Sequence, residues 1–291
     1  MTHPTPLVLP TARVEDTELV FSSPAGEDHA LALGAFALKI PDDIDPRPGL
    51  HLCRNFYRPA ADVTNRYRGH REATHPRSSL GYEDRPDQVE QLQIESHLWK
   101  EYFPDEVAEQ LRRMRLLTLY TLEGLLRLAG VPDRDHETVT GGARAETNLC
   151  YSTINHYRSE LDRSIGIVEH TDSGFITTIY ADQPGFEAFD GDTWRPVREQ
   201  PGHFIVNTGD AFDVLTRHLR RPVRGVLHRV AATHPDRSSD DRSSYTVYMG
   251  PRFNMPLYQY GHDGVRHEYQ GFRAYSVEKA ARMGYEFHSR V

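Results

Sequence analysis

His170-Thr-Asp172 sets an imidazole and a carboxylate two positions apart, just ahead of the strand-like run Gly174-Phe-Ile-Thr-Thr-Ile-Tyr180. Residues i and i+2 share a face of an extended chain, so both side chains can point the same way. A second imidazole, His228, lies fifty-eight positions on, inside Val223-Arg-Gly-Val-Leu-His-Arg-Val230, far enough for several strands to intervene before the chain returns alongside. Two imidazoles and one carboxylate on one face of a metal leave three positions open, an arrangement suited to non-haem Fe(II) and oxygen chemistry. Taken alone, the pair reads equally well as a surface feature. The chain holds 16 histidines, and a second His-x-Asp, His234-Pro-Asp236, follows six residues after His228. That second pair contains a proline and runs into the polar stretch Arg237-Ser-Ser-Asp-Asp241, so it reads as a loop.

The elements that must position these residues fall into two halves. The 104–128 segment repeats Val107, Leu111, Met114, Leu117, Leu122, Leu125 and Leu128 at helical spacing, with Pro104, Asp105 and Glu106 suited to its start and Gly130 and Pro132 to its end. After it come short apolar or alternating runs at 147–157, 174–181, 186–189, 193–197, 202–207, 223–232 and 244–249, with Asp190-Gly191 as a hairpin turn. Before it, 18–21 and 31–40 read as strands of a small cap. Residues 41–101 show no clean period, and Arg77-Ser-Ser-Leu-Gly-Tyr82 with Glu83-Asp84-Arg85-Pro86 reads as an exposed covering loop. Ser276 to Met283 reads as a short helix with Ser276 as its N-cap. The expected architecture is mainly β with flanking helices (α+β). No Gly/Ser or Pro linker divides the chain, so 1–291 is expected to be one domain: a cap and covering region over 1–100, the long helix over 103–130, the β core over 147–252 and a tail with a helix over 253–291.

Composition bounds the function. The 291 residues are 38% hydrophobic and 26% charged with a net charge of −8, and the arginines are dispersed, which excludes a phosphate-tracking face for nucleic acid. Two cysteines, Cys53 and Cys150, exclude a disulfide framework and a zinc ribbon. The start, Met-Thr-His-Pro-Thr-Pro-Leu-Val-Leu-Pro10, reads as neither a signal peptide nor a membrane anchor, so a cytoplasmic address is expected.

Several further runs carry a resemblance. Asn155-His-Tyr157, His170-Thr-Asp172-Ser-Gly174, Gly185-Phe-Glu187, Asp192-Thr-Trp194, Pro201-Gly-His-Phe-Ile-Val-Asn-Thr-Gly-Asp210, His228-Arg-Val230 and Arg242-Ser-Ser244 before Pro251 closely resemble the isopenicillin N synthase-like family of iron(II)/2-oxoglutarate-dependent oxygenases, over about 148–252. The resemblance implies a double-stranded β-helix (jelly-roll) core with the long helix of the N-terminal half packed on it. It implies His170, Asp172 and His228 as catalytic iron ligands, with Arg242, Ser244 and Tyr157 on 2-oxoglutarate and Asn155 near the metal-binding end of the oxoacid. It also implies O2 as oxidant, succinate and CO2 as products from the oxoacid, and a small-molecule substrate in specialised metabolism such as antibiotic biosynthesis. Two departures stand out. Arg-x-Ser occurs twice, and Arg237 has the more usual distance from the distal His, yet Arg242 is preferred because Tyr245-Thr-Val-Tyr-Met249 after it alternates and ends at Gly250-Pro251. After Tyr157 the chain continues with Arg158 where plant relatives often have Pro. Asp172 fills the position that halogenating relatives empty, which disfavours halogenation.

Other residues receive structural readings. Gly209-Asp210 turns a corner, Trp194 packs, Arg229 points away from the metal face into a salt bridge, and the remaining histidines are solvated or satisfied in the core. Arg66, Arg68, Tyr82, Phe175, Arg252, Phe253 and Asn254 are expected to grip substrate from loops around the scaffold. The ligand set leaves hydroxylation, desaturation and cyclisation open, and oligomeric state is not legible. Three alternatives remain: an oxidase of the isopenicillin N synthase type without oxoacid, a silent receptor, and a zinc hydrolase lacking a motif for its general base.

Overall fold

A computed structural model describes residues 5–71, 81–233 and 241–282 of the chain. Its elements begin with β1 (Leu7–Val8), β2 (Thr11–Glu15), β3 (Glu18–Phe21), α1 (Pro24–Leu33), β4 (Ala35–Lys39), α2 (Arg47–Cys53), β5 (Tyr82–Asp84) and β6 (Val89–Glu95). They continue through α3 (Trp99–Tyr102), α4 (Asp105–Ala129), α5 (Asp133–Thr140), β7 (Leu149–Tyr157), β8 (Ile165–His170), β9 (Ile176–Ala181), β10 (Phe186–Phe189) and β11 (Trp194–Arg198). The last are β12 (His203–Thr208), α6 (Asp210–Thr216), β13 (His228–Ala231), β14 (Arg242–Gly250), β15 (Pro256–Tyr260), β16 (Arg266–Gly271) and α7 (Phe272–Arg282). The molecule is thus α+β and mostly sheet. No described helix is long and apolar enough to cross a membrane.

A nine-stranded sheet, ordered β3-β2-β4-β12-β9-β14-β7-β6-β5, faces a five-stranded sheet ordered β1-β11-β10-β13-β8. Strand alternation sorts the large sheet into two faces. Leu92, Ile154, Tyr245, Val247 and Met249 turn outward into the main apolar cluster with Val107, Leu111, Met114 and Leu122 of α4. Hydrogen bonds from Thr118 Oγ1 to Thr178 Oγ1 (2.9 Å) and from Gln110 Nε2 to the Tyr245 hydroxyl (2.5 Å) pin the helix to β9 and β14. The opposite face of the large sheet, with Asn155, Tyr157, Ser244 and Thr246, looks toward the small sheet. Ala37, Phe186, Ala188, Val197 and Ile205 fill part of the space between the sheets.

Helix α4 starts with Asp105 and Glu106 in its first turn and stops at Gly130, whose φ of 86° lets the backbone reverse. Gly124 is required midway: a Cβ there would stand 2.4 Å from Leu19 Cβ of the β2–β3 hairpin.

Several expectations need correction. Residues 31–33 belong to α1, and only Ala35–Lys39 of the expected 31–40 strand is extended. Tyr82–Asp84 is not loop but an edge strand paired with β6; residues 77–80 of that loop lie outside the described residues, as do His234, Asp236 and Arg237. The extended run before His228 is irregular to Leu227, because strand pairing starts only where His228 meets Ala188 and His170. Ser276 does not cap its helix: α7 begins four residues earlier, at buried Phe272, and Ser276 Oγ donates back to the Phe272 carbonyl at 2.9 Å. Met283 lies outside the described residues.

Candidate active site

His170 is the last residue of β8, and Asp172 stands in the turn beyond it rather than on a strand entrance. β13 runs antiparallel to β8 with His228 registered against His170, so the two imidazoles face each other with ring centroids 4.4 Å apart. His170 Nε2 is 3.5 Å from Asp172 Oδ1. One ligand atom from each of His170, Asp172 and His228 lies within 4.8 Å of the others, and no other such cluster of three occurs among the described residues.

Each ligand is oriented by a partner. Nδ1–H of His170 donates to the Val168 carbonyl (2.8 Å) and Nδ1–H of His228 to the Val226 carbonyl (3.1 Å), which leaves each Nε2 lone pair facing inward. Phe186 stacks on His228 at 5.0 Å. Burial, with His170 beside it, pushes His228 down to about 4 against the pull of Asp172, so it is neutral near pH 7 and free to ligate. Burial works against charge on Asp172, but His170, His228 and Thr177 together hold its carboxyl below the ordinary range. Asp172 Oδ2 accepts from Thr177 Oγ1 (2.5 Å) and Asn207 Nδ2 (2.8 Å), which reserves Oδ1 for a cation. Behind the turn, Gly209 is close enough that a Cβ would stand 2.4 Å from the Asp172 carbonyl oxygen, and the Asp210 amide donates to that oxygen at 2.8 Å.

Arg242, Ser244, Thr246 and Tyr248 share the inner face of β14 by alternation. Arg242 is 2% exposed, its Nε donates to the Gln183 carbonyl (3.0 Å), and its guanidinium lies 4.6 Å over the Tyr157 ring. Its Nη1 is buried with no hydrogen-bond partner among the described residues. Ser244 Oγ accepts from Asn155 Nδ2 (3.2 Å) and stands 3.4 Å from the Tyr157 hydroxyl. A buried fork with a hydroxyl beside it is an incomplete site for a carboxylate.

These groups share one cavity of about 220 Å³ between the sheets, lined also by Gln91 and Gln93 of β6, Tyr151 and Thr153 of β7, and Arg85. A larger cavity of about 520 Å³ shares Ile179 with it but is lined by none of His170, Asp172, His228 and Arg242.

None of the seven residues expected to grip substrate lines the smaller cavity. Arg66 pairs with Glu106 on the surface, and Arg68 donates to the Val63 carbonyl. The Tyr82 hydroxyl donates to Glu90 at 2.6 Å. Phe175 packs edge-on against Phe212 in the core, and Phe253 stacks on Phe272. Arg252 donates to the Thr147 carbonyl, and Asn254 is exposed. Six of the seven have thus found local partners that the sequence did not reveal. Sequence reasoning missed Gln91, Gln93, Tyr151, Thr153, Thr246 and Tyr248 instead. Alternation was the available signal, since Thr153 and Thr246 lie two positions from Asn155 and Ser244.

Comparison with known proteins adds to this geometry. Residues 148–251 match the model of the 2OG-Fe(II) oxygenase superfamily. A 167-residue stretch is 31% identical to gibberellin 3-beta-dioxygenase 1 of Arabidopsis thaliana, over 55% of this chain and 45% of that protein. The chain therefore spans less than half the length of this curated relative. Among solved structures it superposes on JOX2 in complex with 2OG, Fe and JA with a TM-score of 0.71 at 19% identity, covering 95% of this chain and 86% of that one. The dioxygenase for auxin oxidation in rice gives 0.64 at 19% identity, covering 96% of this chain and 97% of that one. At these identities the structural likeness speaks for the fold.

Proposed function

We propose that this chain, whose residues 148–251 match the model of the 2OG-Fe(II) oxygenase superfamily, is an iron(II)/2-oxoglutarate-dependent oxygenase acting on a small molecule. The observation that carries this is the pairing, in one cavity, of a three-ligand cluster with a buried guanidinium whose Nη1 has no partner among the described residues. Both groups fit. His170, Asp172 and His228 present two neutral nitrogens and one oxygen to a cation, a donor set suited to iron(II) that leaves positions for other ligands. Arg242 with Ser244 and Tyr157 would hold the far carboxylate of the oxoacid, and Asn155, whose Oδ1 is also unpartnered among the described residues, stands between the two. With both bound, the centre supplies oxygen activation driven by decarboxylation of 2-oxoglutarate to succinate and CO2, enough to oxidise an unactivated C–H bond.

The chain's own work is placement and desolvation. Arg242 loses little by being preorganised, because the Gln183 carbonyl and the Tyr157 ring already hold its plane. Thr177 and Asn207 keep Asp172 directed, and His170 and His228 with Thr177 favour its ionised form. Gln91, Gln93, Tyr151 and Thr246 line the cavity with neutral hydrogen-bonding groups, which fits a polar, uncharged face on the substrate. We read the two facing sheets as a jelly roll and 1–291 as a single domain. The same reading keeps the substrate in specialised metabolism, antibiotic biosynthesis included, with hydroxylation, desaturation or ring closure as outcome, in the cytoplasm.

Adding Fe(II) and then 2-oxoglutarate under anaerobic conditions should give the weak visible charge-transfer band of a chelated oxoacid, and substrate screening in air should give succinate. A metal-loaded protein without the band that still consumes oxygen with substrate would move the reading to an oxidase of the isopenicillin N synthase type, in which Arg242 and Ser244 hold the substrate's own carboxylate.

A further inference from the structure

The turn that carries two of the three ligands is gripped from outside by the C-terminal helix. Lys279 of α7 is 8% exposed, and its ammonium spends all three N–H donors on this region. Nζ lies 2.5 Å from the carbonyl oxygen of Thr171, 2.9 Å from Thr171 Oγ1 and 2.5 Å from Asp210 Oδ2. Thr171 is the residue between His170 and Asp172. Asp210 belongs to the same clamp, since its amide donates to the Asp172 carbonyl and the next amide, of Ala211, donates to the Gly174 carbonyl at 3.1 Å. The turn is therefore held on one side by the first residues of α6 and on the other by α7, which meet in the Lys279–Asp210 ion pair. Lys279 does not line the cavity, so it acts on the site through the turn.

We infer that Lys279 is a positioning residue that couples docking of α7 to metal binding by the His170-Thr-Asp172 turn. The inference rests on the metal reading above and goes beyond it. Two physical points support it. A lone buried ammonium beside a cation site would repel the cation, but Asp210 offsets it at contact distance, which reduces the electrostatic cost of the tether to the metal. A turn held in its ligating shape only part of the time binds metal more weakly by that fraction, so each contact that restricts Thr171 raises affinity. Coupling of this kind is reciprocal: if the docked helix strengthens metal binding, bound metal must strengthen docking of the helix.

The test has two arms. In wild-type protein, amide exchange is followed with and without Fe(II) under anaerobic conditions; bound metal should slow exchange in 168–174 and also in 272–282. In the second arm, chelator competition measures Fe(II) affinity. Lys279→Met should weaken it about tenfold or more, the scale on which outer-shell partners act, and Lys279→Arg, which can still donate to Thr171 and Asp210, should recover most of that loss. Metal-dependent protection confined to 168–174, together with wild-type affinity in Lys279→Met, would overturn the coupling while leaving the metal site standing. Absence of any Fe(II) effect at 168–174 would overturn the metal reading and the coupling with it. The first arm needs no variant, so a misfolded Lys279→Met leaves the question decidable.

Discussion

Arg242 is 2% exposed, with its Nε on the Gln183 carbonyl and its plane over the Tyr157 ring, while its Nη1 has no hydrogen-bond partner among the described residues, a costly arrangement that a carboxylate would complete. Arg242→Ala should therefore cost more than one hydrogen bond. Losing two charge-assisted bonds of about 1.5 kcal/mol each weakens 2-oxoglutarate binding by roughly a hundredfold. Arg242→Lys keeps the charge but not the fork and should fall between the two. Anaerobic titration of the charge-transfer band reads both, and equal affinity in all three proteins would remove Arg242 from the oxoacid site. Thr177 is the second residue with a sharp consequence. Its hydroxyl donates to Asp172 Oδ2, and Thr177→Val keeps shape while deleting that donor, leaving Asn207 alone to orient the carboxylate. Fe(II) affinity should drop by about tenfold, and the metal-free protein should lose about 1.5–3 kcal/mol, the worth of a hydrogen bond to a charged group, as chelator competition and melting curves would show.

At the scale of elements, the sequence was most legible where one period ran without competition. The 104–128 helix pattern corresponds to α4, and the runs at 147–157, 186–189 and 202–207 correspond to β7, β10 and β12 within two residues at each end. His170, Asp172, His228 and Arg242 come together in one cavity as the resemblance implied, although His170 and Asp172 taken alone read equally well as a surface pair. β6 was missed. Val89-Glu-Gln-Leu-Gln-Ile-Glu95 looks like solvated strand or helix, yet six of its seven residues are buried, because its polar face lines the cavity instead of meeting water. The cavity wall went unread with it: loop residues drew attention, while most of the lining comes from strands. Gly124 was also silent in sequence, since glycine inside a helix normally costs about 1 kcal/mol relative to alanine. Here the sign reverses. Gly124→Ala would gain that propensity but drive a methyl to 2.4 Å from Leu19 Cβ, so the β2–β3 hairpin must move off the helix. A net loss of about 1–2 kcal/mol is expected from overpacking, measured as a lower denaturant midpoint, and a more stable variant would show that the hairpin moves freely.

Over the whole molecule, one end of the β6-β7-β14 part of the large sheet is closed by a knot of polar side chains. His156, 3% exposed on β7, lies with Nδ1 2.9 Å from Glu90 of β6 and Nε2 2.8 Å from Asp241 just before β14, and Tyr57 stacks on its ring at 3.7 Å. The knot joins three strands and the segment after α2, directly behind the Asn155, Tyr157 and Arg242 face of the cavity. Burial works against charge on Glu90, but His156 and Tyr82 outweigh it and lower its pKa. Burial likewise opposes charge on Asp241, which Ser159 and His156 outweigh. Carboxyls depressed in the folded state stabilise it above their unfolded pKa, near ~4, and that contribution is lost as pH falls through their folded values. The knot should therefore be intact at neutral pH and fail in acid, with stability declining from about pH 5 downward. Glu90→Gln removes one of the two titrating partners and leaves a neutral acceptor in its place. It should cost about 2 kcal/mol at pH 7, the worth of a buried hydrogen bond to a charged group, and should show a shallower fall below pH 5 than the wild type. Urea denaturation from acid to neutral pH separates the cases: parallel curves for both proteins would place the acid sensitivity elsewhere, whereas curves that converge toward low pH locate it in the contact between Glu90 and His156.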